Sequence, residues 1–360
     1  MTDHTRTHAG SMPGRVVTLT TNPTLDAIAE IPEGAFPIAN DVLRVRFRYN
    51  VGGKGITCSR MLKNLGGETQ AVVLLGDDGV VSCIEFYLRQ QELNTAVVRA
   101  HGLGRICLIL TEVEGESFEG LEQRPTTGTD YRINGMGFKV DERVLARVLD
   151  ELRRSLAGSG ALALAGSLPE GAPADFYAQC IHLAKGRVPL IALDSSGEPL
   201  RHGVKARPTL VKINAREAAW LMQASVPADI MQAVPLARSI AETYGIDRVI
   251  ITLGAAGAVA LDGAVQWAVC PPMVKAQGAL GAGDSFIAGL TYCLSKGGSF
   301  AEGLRWGAAC GAATAEQRAG LIGSRARVLE LLDRVELREL VPGEASIARR
   351  EAAAAKAGLK

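Results

Sequence analysis

Several ingredients that would fix a function at a glance are missing from this chain of 360 residues. No run of about 18 apolar residues occurs, so no helical membrane span is expected. The N-terminus lacks the apolar stretch of a secretory signal, which leaves a reducing cytoplasm as the expected compartment. An excess of one charge is also missing: 39 Lys plus Arg stand against 38 Asp plus Glu, a net charge of +1. Such a chain has no long-range field to hold nucleic acid or an anionic membrane, although a locally basic pocket is compatible with it. The seven cysteines are odd in number, scattered, and form no Cys-x-x-Cys pair. That argues against a disulfide framework and against a zinc site. Five histidines, two of them among the first eight residues, leave little for a His-based metal centre. There is no fixed-period repeat.

What is present is ordinary globular material, 47% hydrophobic and 21% charged, enough to bury a sizeable core. Residues 1–14 are polar and unpatterned, and are expected to be disordered. Apolar runs predict strands at Val16–Thr20 and 70–75, and helical spacing is seen over 57–66 and 79–92. Over 105–133 apolar and polar residues alternate loosely, with Gly115 and Gly120 as turn signals; this predicts a small antiparallel excursion. From about 141 onward helices (141–156, 173–186, 214–223, 229–244, 284–296, 300–317) accompany apolar strands (161–165, 189–193, 208–212, 248–253). Such alternation implies an α/β fold with a central, mostly parallel sheet and helices on both faces. Residues 334–360, rich in Ala, Glu, Arg and Lys, are expected to be a C-terminal tail, a solvated helix or a frayed end.

The strongest local signal is Leu280-Gly281-Ala282-Gly283-Asp284-Ser285-Phe286, which opens an apolar helical run. Small residues let the backbone approach a ligand, and the first N–H groups of a helix point outward without internal partners. With the positive end of the helix dipole they form an anion site. A carboxylate there repels phosphate, so Asp284 makes chemical sense as a base that takes a proton from an attacking hydroxyl. Its bland alternative is a helix cap. Gly52-Gly53-Lys54-Gly55 precedes another helix and suggests backbone contact with a ligand, or a tight turn. Neither segment is a nucleotide-binding P-loop or a dinucleotide fingerprint, because Gly55 and Phe286 occupy positions those patterns deny them. Asp26, after the first strand, is placed to bind sugar hydroxyls or to make an Asx turn.

Seven segments, in order, resemble the PfkB or ribokinase-like family of carbohydrate kinases. Within it, the branch of 1-phosphofructokinase, tagatose-6-phosphate kinase and the minor 6-phosphofructokinase is the most similar. Thr20 to Asp26 is similar to TLNPALD, Gly52 to Ile56 to GGKGI, Ala165 to Gly171 to SGSLPPG, and Asp194 to Glu198 to DSSGE. Lys212 to Glu217 is similar to KPNxxE, Thr252 to Gly257 to TLGxxG, and Gly281 to Phe286 to GAGDSF. The resemblance spans 15–333 and implies a ribokinase-like kinase domain there, with a β-lid from 27–50 and 105–133. It implies ATP and Mg²⁺ as cofactors, a sugar phosphate as substrate, and a homodimer formed through the lid. Asp284 would be the base, with the amides of Ala282, Gly283 and Asp284 beside Gly281 as an anion hole. Lys212, Thr252, Gly254 and Gly257 would line the nucleotide site, and Asn214 with Glu217 would set up Mg²⁺ through water. Asp26, Gly52, Gly53, Lys54 and Thr57 would meet the sugar, and Arg105 its phosphate.

Three positions depart from that pattern. Thr57 and Cys107 stand where the family has asparagines, and Ile213 stands where it has proline. A threonine offers one hydroxyl in place of an amide. Two other readings remain open on sequence: a kinase of an unphosphorylated sugar or nucleoside, and a non-catalytic sugar-phosphate sensor. Arg105 and Lys54 weigh against the first, and intact Asp284, Asn214 and Glu217 against the second.

Overall fold

A computed structural model describes residues 14–36, 42–117 and 119–340. The strands are β1 (Val16–Thr20), β2 (Thr24–Pro32), β3 (Arg48–Gly52), β4 (Thr69–Leu75), β5 (Thr95–Arg99), β6 (Arg105–Val113) and β7 (Thr126–Asn134). They continue as β8 (Ala161–Ala165), β9 (Leu190–Asp194), β10 (Leu210–Asn214), β11 (Arg248–Thr252), β12 (Ala258–Asp262), β13 (Val265–Cys270) and β14 (Glu336–Glu339). The helices are α1 (Lys54–Asn64), α2 (Gly79–Gln90), α3 (Glu142–Ser155), α4 (Phe176–Ala184) and α5 (Gly197–Lys205). They continue as α6 (Ala215–Met222), α7 (Ile230–Tyr244), α8 (Ala282–Ser295), α9 (Phe300–Ala315) and α10 (Arg325–Leu332).

Ten strands form one sheet in the order β14-β13-β12-β11-β10-β9-β8-β1-β4-β5. Its strands from β11 to β5 run parallel, and β12, β13 and β14 extend it antiparallel at one edge. The period of two along a buried strand explains the two helical layers. Val17, Leu19, Leu162 and Leu164 pack with α3 to α7, whereas Val16, Ala161 and Ala163 pack with α1, α8, α9 and α10. Every residue of β1 and β8 is buried, so neither strand shows the buried-to-exposed alternation of a one-sided sheet.

A separate four-stranded sheet has the order β3-β2-β6-β7. Here the sequence expectation needs correcting. The β6–β7 pair is antiparallel, but β2 pairs with β6 in parallel over nine residues. The excursion is therefore not a self-contained antiparallel unit, because a strand from the first thirty or so residues completes it. Two further corrections concern ends. Helix α1 begins at Lys54, not at 57, since Gly53 can turn the chain at φ 123°. Residues Glu336–Glu339 are a strand paired with β13, within a stretch expected to be a solvated helix or frayed end. The apolar Leu337 packs against the α8–α9 layer, and that contact outweighs helical composition. The expectation for residues 1–13 and for 341–360 falls outside the described residues. Among the described residues no helix is long and apolar enough to cross a membrane.

Candidate active site

A cleft of about 320 Å³ lies where the carboxyl ends of β1 and β8 face the small sheet. Asp26, Gly52, Gly53, Lys54, Thr57 and Arg105 all line it, together with Glu217, Gly281 and Asp284. Residues far apart in the chain are thus brought to one space. Lys212, Asn214, Thr252, Gly254, Gly257, Ala282 and Gly283 do not line it.

Asp26 projects from β2 and is 8% exposed. Burial pushes its carboxyl up to about 6, against a lowering pull from Thr24 and Arg105. The Thr24 hydroxyl donates to its Oδ1 at 2.5 Å. A Cβ on Gly52, which pairs with Thr24 on β2, would overlap both this carboxylate and the Thr24 hydroxyl, so the close approach needs glycine there. Arg105 opens β6 opposite Thr24, with Nε donating to the Gly135 carbonyl at 3.1 Å. Two more arginines, Arg60 on α1 and Arg132 on β7, line the same end. Both act electrostatically on Asp26, and burial holds the Arg60 guanidinium below its ordinary value. Sequence reasoning missed both. The signal for Arg60 was faint: a cation three residues after Thr57, one turn along the same helix face.

At the other end of the cleft, helix α8 begins at Gly281, which has φ 83° and no side-chain cap. Helix α1 follows Gly53, also without a side-chain cap. By contrast, α2, α3, α6, α7, α9 and α10 are closed by the side chains of Asp78, Asp141, Asn214, Asp229, Ser299 and Ser324. Helices α4 and α5 also lack a side-chain cap, and Ser196 before α5 lines the cleft as well, so the N-termini of α1, α5 and α8 meet one space, an arrangement that favours an anion. Asp284 stands in the first turn of α8. Burial raises its carboxyl to about 7, although Lys54 pulls it down.

Beneath lies Asp194, the last residue of β9 and 0% exposed. Its Oδ1 is 2.6 Å from Lys54 Nζ and its Oδ2 2.7 Å from Lys212 Nζ. Burial alone would raise the Asp194 carboxyl; the two ammonium groups hold it below its ordinary value. Burial opposes the charge of Lys54, and Asp194 overrides it, leaving that ammonium more basic than usual. The Lys212 ammonium lies against the α8 backbone, since a Cβ on Gly283 would come within 2.6 Å of it. Asp194 was not among the expected site residues. Its signal was an ionisable residue closing the otherwise apolar run Leu190–Asp194.

Asn214 and Glu217 close helix α6 on each other: the Asn214 Oδ1 accepts the Glu217 N–H at 2.9 Å and the Glu217 Oε2 accepts the Asn214 N–H at 2.8 Å. This leaves Glu217 Oε1, 4.0 Å from Lys54 Nζ, facing the cleft. Burial, and next the Asp194 charge, raise the Glu217 carboxyl. Among the described residues no three His, Cys, Asp or Glu side chains are grouped to cage a metal ion. One free carboxylate oxygen suits a hydrated cation that arrives with its own ligands. Thr252 pairs beside Asn214 at the end of β11. Gly257 has φ 100° and would strike the Val269 carbonyl if it carried a Cβ, so strand packing accounts for that glycine.

A doubly covered parallel sheet, a small sheet facing its strand ends, and a carboxylate among unclosed helix N-termini define a class: the ribokinase-like phosphotransferases. The chain belongs to the pfkB family of carbohydrate kinases, whose pattern matches residues 30–326. It is 30% identical to 1-phosphofructokinase of Escherichia coli strain K12, over 91% of this chain and 99% of that protein. Against 1-phosphofructokinase of Bacillus subtilis strain 168 it is 28% identical, over 90% of this chain and all (100%) of that one. Among solved structures, phosphofructokinase-2 from Escherichia coli in complex with potassium superposes with a TM-score of 0.77. It is 26% identical and covers 89% of this chain and 98% of its own. As a family member the chain is a phosphotransferase with an alcohol group as acceptor, and ATP is the family's phosphate donor.

Proposed function

We propose that this protein transfers the γ-phosphoryl of ATP to a hydroxyl of a phosphorylated ketohexose, with fructose 1-phosphate as the first candidate. The observation that carries the reading is Asp284: a half-buried carboxylate, raised to about 7, in the first turn of an uncapped helix and in one cleft with Asp26 and Arg105. The names of the relatives favour fructose 1-phosphate over fructose 6-phosphate or tagatose 6-phosphate.

In this reading Asp26 accepts hydrogen bonds from sugar hydroxyls beside Gly52, Gly53 and Thr57, and Arg105 pairs with the phosphate the sugar already carries. Asp284 takes the proton of the attacking hydroxyl. The new oxygen–phosphorus bond forms as the bond to the ADP oxygen breaks. The amides of Ala282, Gly283 and Asp284, beside Gly281, hold the group in flight, and Lys54 and Lys212 supply positive charge. Positioning and charge stabilisation dominate such transfers. The nucleotide extends toward Thr252, Gly254 and Gly257. Asn214 and Glu217 would hold Mg²⁺ through water, where it neutralises phosphate charge. The small sheet acts as a lid.

The outer face of that sheet supports a homodimer. Tyr49, Ala27, Leu108 and Ile133 form one cross-strand row, with Tyr49 49% and Ile133 53% exposed. Replacing Ile133 by Lys should shift sedimentation toward monomer.

The deciding experiment is coupled ADP release over a panel of sugar phosphates and free sugars. Fructose 1-phosphate should give the highest kcat/KM. Binding of sugar phosphates with no turnover of any would replace the kinase reading with that of a sensor.

A further inference from the structure

Asp26, Ile28 and Glu30 alternate along the inner face of β2. The first faces the cleft; the third is only 5% exposed. Glu30 Oε1 lies 2.7 Å from Arg48 Nη2 on the neighbouring strand. It also lies 3.4 Å from Arg318 Nη1, and Arg318 belongs to the other body of the molecule, the loop between α9 and α10. The other arm of that guanidinium, Nη2, donates to the Arg124 carbonyl at 2.7 Å, just before β7. A side chain of the large domain is thus inserted between two elements of the small sheet.

The same loop makes further contacts of this kind. Asn50 Nδ2, on β3, donates to the Gly320 carbonyl, which also accepts from Arg60 Nη1 and Nη2 at 3.2 Å each. Ala319 packs with Ile28, Cys107 and Ile109 of the small sheet, with Leu280 against them. Next to it, the Thr126 hydroxyl donates to the Gln277 carbonyl at 3.0 Å. The loop is itself fixed on the large domain: Arg327 grips Glu316 by two bonds of 2.7 Å, and Asn64 donates to the Gly323 carbonyl at 2.7 Å. Gly320, Leu321 and Ile322 also form part of the cleft wall. One loop therefore touches the large domain, the small sheet and the acceptor space at once.

We propose that Arg318 is a positioning residue that sets how far the small sheet closes over the cleft. The inference rests on the kinase reading above. A buried carboxylate with one cation removed carries a large desolvation cost, so Glu30 without Arg318 favours a sheet position that lets water in. Water then competes with the sugar hydroxyl for the γ-phosphoryl, giving ADP and inorganic phosphate. Arg318 touches no reacting atom in this scheme.

The test compares the full-length wild type with Arg318→Met and Arg318→Lys, using ATP and fructose 1-phosphate. Arg318→Met should raise the KM for the sugar phosphate about tenfold while kcat falls no more than about threefold, the split expected of lost closure. ADP release without sugar, as a share of that with sugar, should rise about fivefold or more, because closure excludes water. Arg318→Lys keeps a cation beside Glu30 and should recover part of both. A folded Arg318→Met protein with wild-type KM and wild-type ratio overturns the inference. If that variant does not fold, Glu30→Gln, which removes the carboxylate that Arg318 meets, should shift the same two readouts in the same direction; no shift there overturns it equally. A wild type that transfers to no sugar phosphate fails earlier, and refutes the kinase reading before any variant is compared.

Discussion

Lys212 and Asp194 form a buried ion pair of 2.7 Å at the floor of the cleft, and the free oxygen of the same carboxylate holds Lys54. Among the described residues neither lysine has another carboxylate within 3 Å, so Asp194 neutralises two cations at once. Asp194→Asn keeps the shape and removes the charge. Breaking a buried pair this way typically costs about 3–5 kcal/mol. A clear drop in melting temperature is expected, together with a weakened response to ATP in a thermal-shift titration. A variant with unchanged melting behaviour would show that the lysines do not depend on Asp194.

Asp284→Asn should retain ATP binding by calorimetry and lose about 10²–10⁴-fold in kcat, the usual worth of a general base. The same variant should be more stable than wild type at pH 8. With its carboxyl raised to about 7 from 3.8, folded Asp284 holds a proton that the unfolded chain releases between those values. Wild-type stability therefore falls as pH rises through that window, by up to about 4 kcal/mol. Denaturant melts at pH 4 and pH 8 should show the gap between the two proteins opening only at the higher pH.

The pH–rate profile follows from the same group. A base must be deprotonated, so kcat/KM should fall about tenfold per unit below about pH 7. Asp26, raised to about 6, should steepen the fall below that point if its ionised form is what holds the sugar. The limb near 7 should vanish in Asp284→Asn, and its persistence would assign it to another group.

Arg105→Ala should raise the KM for a sugar phosphate by one to two orders of magnitude, on the scale of a lost charge-assisted contact, and leave the KM for ATP near wild type. With a free sugar the same change should have almost no effect. Equal losses for both acceptors would mean that Arg105 supports the sheet and not the phosphate.

Gly52→Ala tests the close approach of β3 to Asp26. The added methyl overlaps the Asp26 carboxylate. Sugar binding should weaken several-fold with little change in the acceptor-free ATP hydrolysis, since Asp284 and Lys212 stand on other elements. Isothermal titration with fructose 1-phosphate would measure it.

Much of this site could be read from local sequence because its parts are helix beginnings. Gly281 and Gly53 are recognisable as uncapped N-termini from their small residues alone, and Asp284 follows from chemistry that such a terminus invites. Central strands were legible as apolar runs. Asp194 was harder, since one carboxylate at a strand end has no meaning until two lysines from other strands and helices converge on it. Arg132 depends on the pairing of β6 with β2 and β7, and Arg318 meets Glu30 from far along the chain, contacts that no local period encodes. β14 was misjudged because four charged or aliphatic residues carry little pattern; only an open edge on β13 makes them a strand. Gly257, expected near the nucleotide, is required by the Val269 carbonyl whatever binds nearby.

That same edge has a practical side. The segment Glu336–Glu339 acts as a cover strip, its two glutamates and one arginine turned to water while its backbone occupies the bonding groups of Trp267 to Cys270. A protein shortened to end at 335 would lay that row bare beside exposed Val265, offering neighbouring molecules a ready template for strand addition. Shortening after 340 leaves the strip in place. Where the chain is trimmed therefore decides whether it stays dispersed in concentrated solution.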